Sequence, residues 1–579
     1  MTASWMQHWA RPGRTTSRDI RLDLLWLLCA MLVLVASGVG LRDPWPADEP
    51  RFVLVAREMS ASGDWLIPRI AGELYAEKPP LYFWLMALAL KVTGSTRVGF
   101  LLPSLLSSTA CVLLVYDLAR RLWNRETGLI AATALLFTVQ FFWQARQAQI
   151  DATLCFWTTL SLYGLLRDAL ERPSLKWFAL GWAAAGFGVI TKGVGFLPLL
   201  ILPVLAALRL RWSQEMSFDV RIRRARWIVG PAAFLGAIGC WLLPMWIVSQ
   251  SDPALAAYRD HILLQQTVER YANAWHHREP FWYFIVQVIP VLWLPWIALL
   301  PWLVPQWRAA LRAHDLRIGA LLWWAFVVVI FFSASSGKRG VYVLPAVPAF
   351  VLACAPYFRE LLSKASVQRV LFGIACVAAI ACAAAFVYLS LRPDLSAELI
   401  ANYGLDATAP SIVIALSVVA VCLLARPSRG VLAYAGTATV VLLIISYWLN
   451  PMLDPARSSV QFVARVEQKT DVSRELGWVE FKEQYLLNLT RPIVPFGRAS
   501  ALESDQSIFD AARWLHEAPG RQLIVNDETR ERCFSHAQLE PLGLANRTSW
   551  FLVFSGADPD CIARGRPNAA RTYVPPRTH

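Results

Sequence analysis

Apolar stretches dominate the first 450 positions and polar residues dominate from about 455 onward, so the chain divides into two regions of different character. A helix needs roughly 20 residues to cross about 30 Å of hydrocarbon. Suitable runs lie at 22–41, 98–119, 128–147, 150–166, 176–191, 194–208, 227–249, 284–303, 318–334, 341–357, 368–390, 409–425 and 431–449, which predicts thirteen spans. The pair flanking Thr191–Gly193 is nearly continuous. The run at 22–41 is long for the apolar core of a cleaved leader and no clear A-x-A site follows it, so it reads as a span. The run at 81–92 (LYFWLMALALKV) covers about 18 Å as a helix, too short to cross, and is expected to lie along the membrane surface.

Charge decides the orientation. With 81–92 kept out of the count, Arg11, Arg14, Arg18, Arg21, Arg120, Arg121, Arg125, Arg167, Arg172, Lys176, Arg209, Arg211, Arg221, Arg308, Arg312, Arg317, Arg359, Lys364 and Arg426 all fall on one side. An excess of Lys and Arg in short loops marks the cytoplasmic side. The expected topology is therefore N-terminus in and C-terminus out. Segments 42–80, 250–283, 335–340, 391–408 and everything after 450 face outward, with a short turn near Asp151.

In the polar region, Leu523-Ile524-Val525 and Trp550-Phe551-Leu552-Val553-Phe554 read as short buried strands, and 505–517 as an amphipathic helix. The fold class is thus an all-α polytopic membrane region with interfacial helices, followed by a soluble α/β domain. The expected divisions are a cytoplasmic 1–21, a membrane region 22–450 and an exterior domain 451–579.

Composition agrees. Hydrophobic residues make up 56% of the 579 positions and charged ones 17%, below the roughly 25% of soluble chains. The net charge of +14 reflects cytoplasmic loop cations and not nucleic-acid binding. Eight of the ten cysteines lie in or beside spans. Cys533 and Cys561 lie in the exterior domain, where a disulfide can persist, and either a bridge or two thiols fits them.

No soluble-enzyme motif is present. GFGVITKG (186–193) lacks the spacing of a phosphate loop, and its glycines suit helix packing. The chemistry concentrates in the outward segments. In loop 42–80, Phe52, Val55, Ala56 and Met59 share one face, predicting a surface helix over 49–61 that starts at Pro50. Asp48 precedes it, either capping the helix or serving chemistry beside Glu49. Tyr75, Glu77 and Lys78 lead into the interfacial run, where Lys78 either snorkels or binds a lipid phosphate. Asp151 sits at the mouth of an apolar helix pair, either functional or paired with Arg146. Lys338, Arg339 and Tyr342 lie at the outer end of a span, where cations ask for an anionic partner. Segment 258–279 offers His261, Glu269, Arg270, Tyr271, His276, His277 and Arg278, and Arg270 suits bidentate phosphate binding.

The D-E pair after the first span, ADEPR…GDWLIP…YAEKP (47–79), the second Asp within 143–154 and GKRGVYVLP (337–345) together resemble the GT-C glycosyltransferases. Within them the pattern is most similar to the bacterial lipid A 4-amino-4-deoxy-L-arabinose transferases, related to protein O-mannosyltransferases. The resemblance is weak over the exterior domain. It implies transfer of the aminoarabinose from undecaprenyl phosphate to a lipid A phosphate at the periplasmic face of the bacterial inner membrane, a lipopolysaccharide modification that confers resistance to polymyxin and cationic peptides. It implies Asp48 and Asp151 at the catalytic centre, with Glu49 beside them. Lys78 and Arg270 are placed near the donor phosphate, and Arg51, Tyr75, Lys338 and Tyr342 are assigned to the same phosphate and lipid. No cofactor is called for. The one place set aside for a divalent cation is Glu77 with His261, and two donors alone do not define a site. The expected partners are the lipid-linked sugar, the lipid A or lipopolysaccharide acceptor and membrane lipids, with no nucleic acid, and a monomer.

Pro79-Pro80 and a very aromatic run follow Lys78, a departure that bears on donor selectivity. A transferase of another sugar, such as mannose, to protein or glycan stays open. A flippase or transporter would show internal repeats and charges at mid-membrane, whereas no repeat is seen here and the candidate site charges cluster at one face. A plain scaffold would not need acidic and basic pairs at the outer surface.

Overall fold

The structure, a computed structural model, describes residues 16–212, 220–263, 278–403, 405–498, 504–567 and 571–576. Among these, eight helices are long and apolar enough to cross a membrane, or ten if each of two bent pairs counts as one span. The bent pairs are Arg125–Leu136 with Val139–Ala145, at 67°, and Phe284–Leu292 with Trp296–Arg312, at 102°. By length and composition, then, the thirteen expected spans are not all reached. Three expected runs fall short for physical reasons. Ser17–Leu34 carries Arg18, Asp19, Arg21 and Asp23 in its first two turns. Ile150–Leu170 carries Asp151, Arg167 and Asp168, and Leu175–Val189 has only 15 residues.

The two sets of loops separated by charge make their contacts within each set. At the basic end, Arg125 donates to Asp23 (2.7 Å), Arg317 to the Leu122 carbonyl (2.8 Å) and Arg359 to Glu126 (3.0 Å). At the opposite end, the Asp43 amide donates to Asp454 (2.8 Å), Arg51 to Glu483 (2.8 Å) and Arg339 to Asp48 (2.8 Å).

Strands β1 (Arg69–Ile70) and β2 (Glu73–Leu74) form a small hairpin in loop 42–80. The polar region holds β3 (Leu476–Phe481), β4 (Val494–Arg498), β5 (Gln522–Asn526), β6 (Gln538–Ala545) and β7 (Thr548–Ser555), in the order β4-β3-β5-β7-β6. The β3 strand runs parallel to β4 and β5, and β7 runs antiparallel to β5 and β6. Period-two alternation gives the sheet two apolar faces. Val479, Leu523, Val525 and Val553 meet Ile508, Ala512 and Leu515 of helix Ser504–Glu517. On that face Cys533 and Cys561 stand bonded, with Cα atoms 5.8 Å apart. Trp478, Ile524, Trp550 and Leu552 on the other face join Phe462 and Tyr485 in one core with helices Glu49–Ser62 and Leu81–Thr93.

That second face changes the reading of loop 42–80. Helix Glu49–Ser62 does not lie with one face on a surface; it is buried on nearly every side between its neighbours and the sheet. Its polar residues are consumed accordingly. Glu58 accepts from the amides of Ala71 and Gly72 and from Tyr573, and Arg57 donates to the Leu487 carbonyl. These contacts form because leaving a buried polar group without a partner costs about 1–3 kcal/mol.

The glycines of GFGVITKG do serve packing. After helix Leu175–Val189 the chain turns through Thr191 and Lys192 and folds back so closely that a Cβ on Gly195 would sit 1.9 Å from the Gly188 carbonyl carbon. Backbone cannot yield as a flexible side chain can. Gly195→Ala is expected to cost about 1–3 kcal/mol or more, and a clearly lowered thermal midpoint in detergent checks this; an unchanged midpoint contradicts the close approach.

Candidate active site

Asp48, near the start of outward loop 42–80, makes no side-chain bond to the helix that follows it. Capping is therefore not its role in this structure. Its carboxylate instead takes Arg339 at 2.8 Å, across from the turn after span Leu316–Ala334. Burial alone would raise the Asp48 carboxyl, but the Arg339 charge and hydrogen bond, with Arg51 and Lys78 farther off, hold it below its ordinary value. A depressed carboxyl stays ionised at neutral pH. The stability its pairing supplies is present above the ordinary pKa and is lost as pH falls through the depressed one.

Glu49 is committed on all sides. Arg42 grips it with two nitrogens, at 2.5 and 2.8 Å, and the amides of Trp45 (2.9 Å) and Ala148 (3.0 Å) complete its shell. The Ala148 bond ties the first loop to the segment that leads into Asp151. Asp151 does not pair with Arg146. It accepts from Lys192 at 2.6 Å, with both side chains 11% exposed, and Lys192 also lies 4.3 Å from the Tyr342 ring centre. Arg146 turns the other way and donates to the carbonyls of Leu34 and Ser37 and the hydroxyls of Ser37 and Ser446. Arg339 feels the charges of both Asp48 and Asp151, so the two carboxylates approach one place from separate loops.

A cavity of about 340 Å³ opens there, lined among others by Asp48, Glu49, Gln149 and Arg339. Beside it, Lys78 donates to the Glu77 carbonyl (3.0 Å) and Tyr75 to the Glu77 carboxylate (3.4 Å). Arg51 bridges Glu77 (3.5 Å) and Glu483 (2.8 Å), and its pKa is pushed up by those carboxylates against the effect of burial. Lys338 donates to the carbonyls of Ser335 (2.6 Å) and Glu279 (2.7 Å). Arg270 lies outside the described residues, as do Glu269, Tyr271, His276 and His277. Among the described residues no group of three or more His, Cys, Asp or Glu side chains is placed to hold a metal ion.

The family described as dolichyl-phosphate-mannose-protein mannosyltransferase matches residues 77–236. Undecaprenyl phosphate-alpha-4-amino-4-deoxy-L-arabinose arabinosyl transferase 2 of Sodalis glossinidius is 32% identical over 372 residues, covering 61% of this chain and 64% of that protein. The corresponding transferase of Yersinia enterocolitica is 30% identical, covering 62% and 64%. The crystal structure of ArnT from Cupriavidus metallidurans bound to undecaprenyl phosphate superposes with a TM-score of 0.70 at 22% identity, covering 94% of this chain and all of that one. The chain has the GT-C fold. Its resemblance to the aminoarabinose transferases, relatives of the mannosyltransferases, holds in sequence and in architecture. The chain spans 64% of the length of the first two of these curated relatives.

On this GT-C scaffold the structure brings together Asp48, Glu49, Asp151 and Tyr342 with two residues the sequence reading passed over, Lys192 and Arg42. Lys192 had one available signal, a lone cation inside an otherwise uncharged apolar stretch, 186–208. Its burial makes Asp151 a delicate residue. Removing one partner of a buried ion pair costs about 3–5 kcal/mol because a bare charge stays behind. Asp151→Asn alone is therefore expected to lower the thermal midpoint, and adding Lys192→Met to restore most of it; a midpoint unmoved by the first change contradicts the pair.

Proposed function

We propose that the chain transfers 4-amino-4-deoxy-L-arabinose from undecaprenyl phosphate to a phosphate of lipid A at the periplasmic face of the inner membrane. The observation that carries this reading is the convergence of Asp48–Arg339 and Asp151–Lys192 at one end of a GT-C fold, beside a cavity and a lysine-tyrosine cluster. In the reaction an acceptor phosphate oxygen forms a bond to the sugar C1 while the bond from C1 to the donor phosphate oxygen breaks. The bonding pair leaves with undecaprenyl phosphate, and any proton on the attacking oxygen passes to a base or to water. The phosphate is a fair leaving group, so the protein's task is to place charge correctly.

Lys78, Tyr75 and Arg51 supply cationic and hydroxyl groups for the departing phosphate. Lys338 and Tyr342, with Arg270, are assigned to the same donor. Asp48 and Asp151 are anionic partners for the cationic amino sugar and its developing positive ring charge. An acceptor that is already an anion needs positioning more than deprotonation. Glu49 serves as a positioning residue, since its four hydrogen bonds hold the loops that present the two aspartates. Capping lipid A phosphates with a cationic sugar reduces their attraction for cationic peptides. The polar region 451–579 is assigned to the periplasmic side as a soluble α/β domain.

A second reading, transfer of mannose or another sugar, is favoured by the match of residues 77–236 to the mannosyltransferase family. Mass spectrometry of lipid A from cells with and without the chain separates the two. The first reading expects an added aminopentose, and its loss by roughly a hundredfold or more in Asp48→Asn at equal membrane abundance. Unmodified lipid A with hexose appearing on protein or glycan favours the second, and near-normal transfer by Asp48→Asn removes that residue from the centre.

A further inference from the structure

The cavity beside Asp48 carries four guanidiniums on its wall, Arg42, Arg146, Arg339 and Arg457, against two carboxylates, Asp48 and Glu49. Two of the four are balanced, Arg42 by Glu49 and Arg339 by Asp48. Arg146 is not; its neutral acceptors, two hydroxyls and three backbone carbonyls, hold its nitrogens Nη1 and Nη2 but leave its charge uncompensated. Arg457, in helix Asn450–Arg457, is different again. Its guanidinium lies 4.5 Å from the Trp45 ring centre, and among the described residues it makes no hydrogen bond or ion pair. Trp45 is itself fixed, donating through its indole to Asp454 (2.8 Å) and through its amide to Glu49 (2.9 Å). A guanidinium held over an aromatic face with its donors unspent is prepared for a planar fork contact with an anion. The same wall holds a buried acceptor without a partner, the Gln149 side-chain oxygen, suited to a ligand hydroxyl.

Transfer between two phosphates needs two anion sites. Lys78, Tyr75 and Arg51 make one, and none of them lines this cavity. We infer that the cavity is the acceptor subsite, in which Arg457 contacts a phosphomonoester of the lipid acceptor, with Arg146 adding a fixed positive field behind it. This rests on the function proposed above. It also gives the end of the last span a role in acceptor recognition, since Arg457 arrives on the helix that connects that span to the sheet-bearing region.

The test uses the full chain in detergent and equilibrium binding of three probes: lipid A, lipid A stripped of its phosphates, and undecaprenyl phosphate. Arg457→Gln is expected to weaken lipid A binding about tenfold or more, the scale of one lost charge-assisted contact. Undecaprenyl phosphate and the stripped lipid should bind wild type and variant alike, and Arg457→Lys should recover part of the loss. Unchanged lipid A affinity overturns the inference. So does weakened undecaprenyl phosphate binding, which would make the cavity the donor's. Sugar transfer by the wild-type preparation is read alongside. A chain that binds lipid A through Arg457 yet transfers nothing removes the proposed function and leaves the subsite standing.

Discussion

The buried Glu49 carboxylate organises the site end of the molecule. It draws two nitrogens of Arg42 and the amides of Trp45 and Ala148 to a single point. Those partners belong to the loop after the first helix and to the segment ahead of Asp151. A charge this deep is tolerated only when its bonding capacity is filled, and filling it brings two distant loops together. Asp48 precedes Glu49 directly and Asp151 follows Ala148 by three positions, so closing this one shell sets the approach of both aspartates. Their cations, Arg339 and Lys192, come from two further turns. Four chain segments thus deliver paired charges to one place at the end of an otherwise apolar bundle.

The sheet-bearing region contributes to that arrangement through packing. Its inner face shares a core with helices Glu49–Ser62 and Leu81–Thr93, and Glu483 holds Arg51 from that side. The helix that carries Asp48 and Glu49 at its start is therefore clamped between the bundle and the sheet. Rigid support of this kind is what a reaction governed by charge placement requires.

The gross organisation was legible because it rests on composition. Runs of apolar residues mark membrane helices and a polar remainder marks the sheet; the strands at 523–525 and 550–554 and the helix near 505–517 emerge where alternation and helical periodicity are strong. The loop sorting was legible from Arg and Lys alone. What stayed hidden was pairing across distance. Asp48 had a cap within reach and chose Arg339, 291 positions away. Asp151 had Arg146 one turn off and chose Lys192, because Arg146 is drawn to the open carbonyls where helix Ser17–Leu34 ends. Sequence proximity offers candidates, but burial selects the partner that removes the larger desolvation cost. Helix Glu49–Ser62 shows the same limit: its apolar stripe was visible, while the second face became buried only because a sheet more than 400 positions downstream packs on it.

The central claim is that polyprenyl phosphate is held at the aspartate-bearing end of the bundle. A cryo-EM map of the chain in nanodiscs with undecaprenyl phosphate tests it most directly. The account predicts phosphate density beside Lys78 and Tyr75, within reach of the Asp48–Arg339 pair and apart from Arg457. Density instead in the hollow of about 750 Å³ lined by Arg121, Arg209 and Arg317 at the basic end would contradict it.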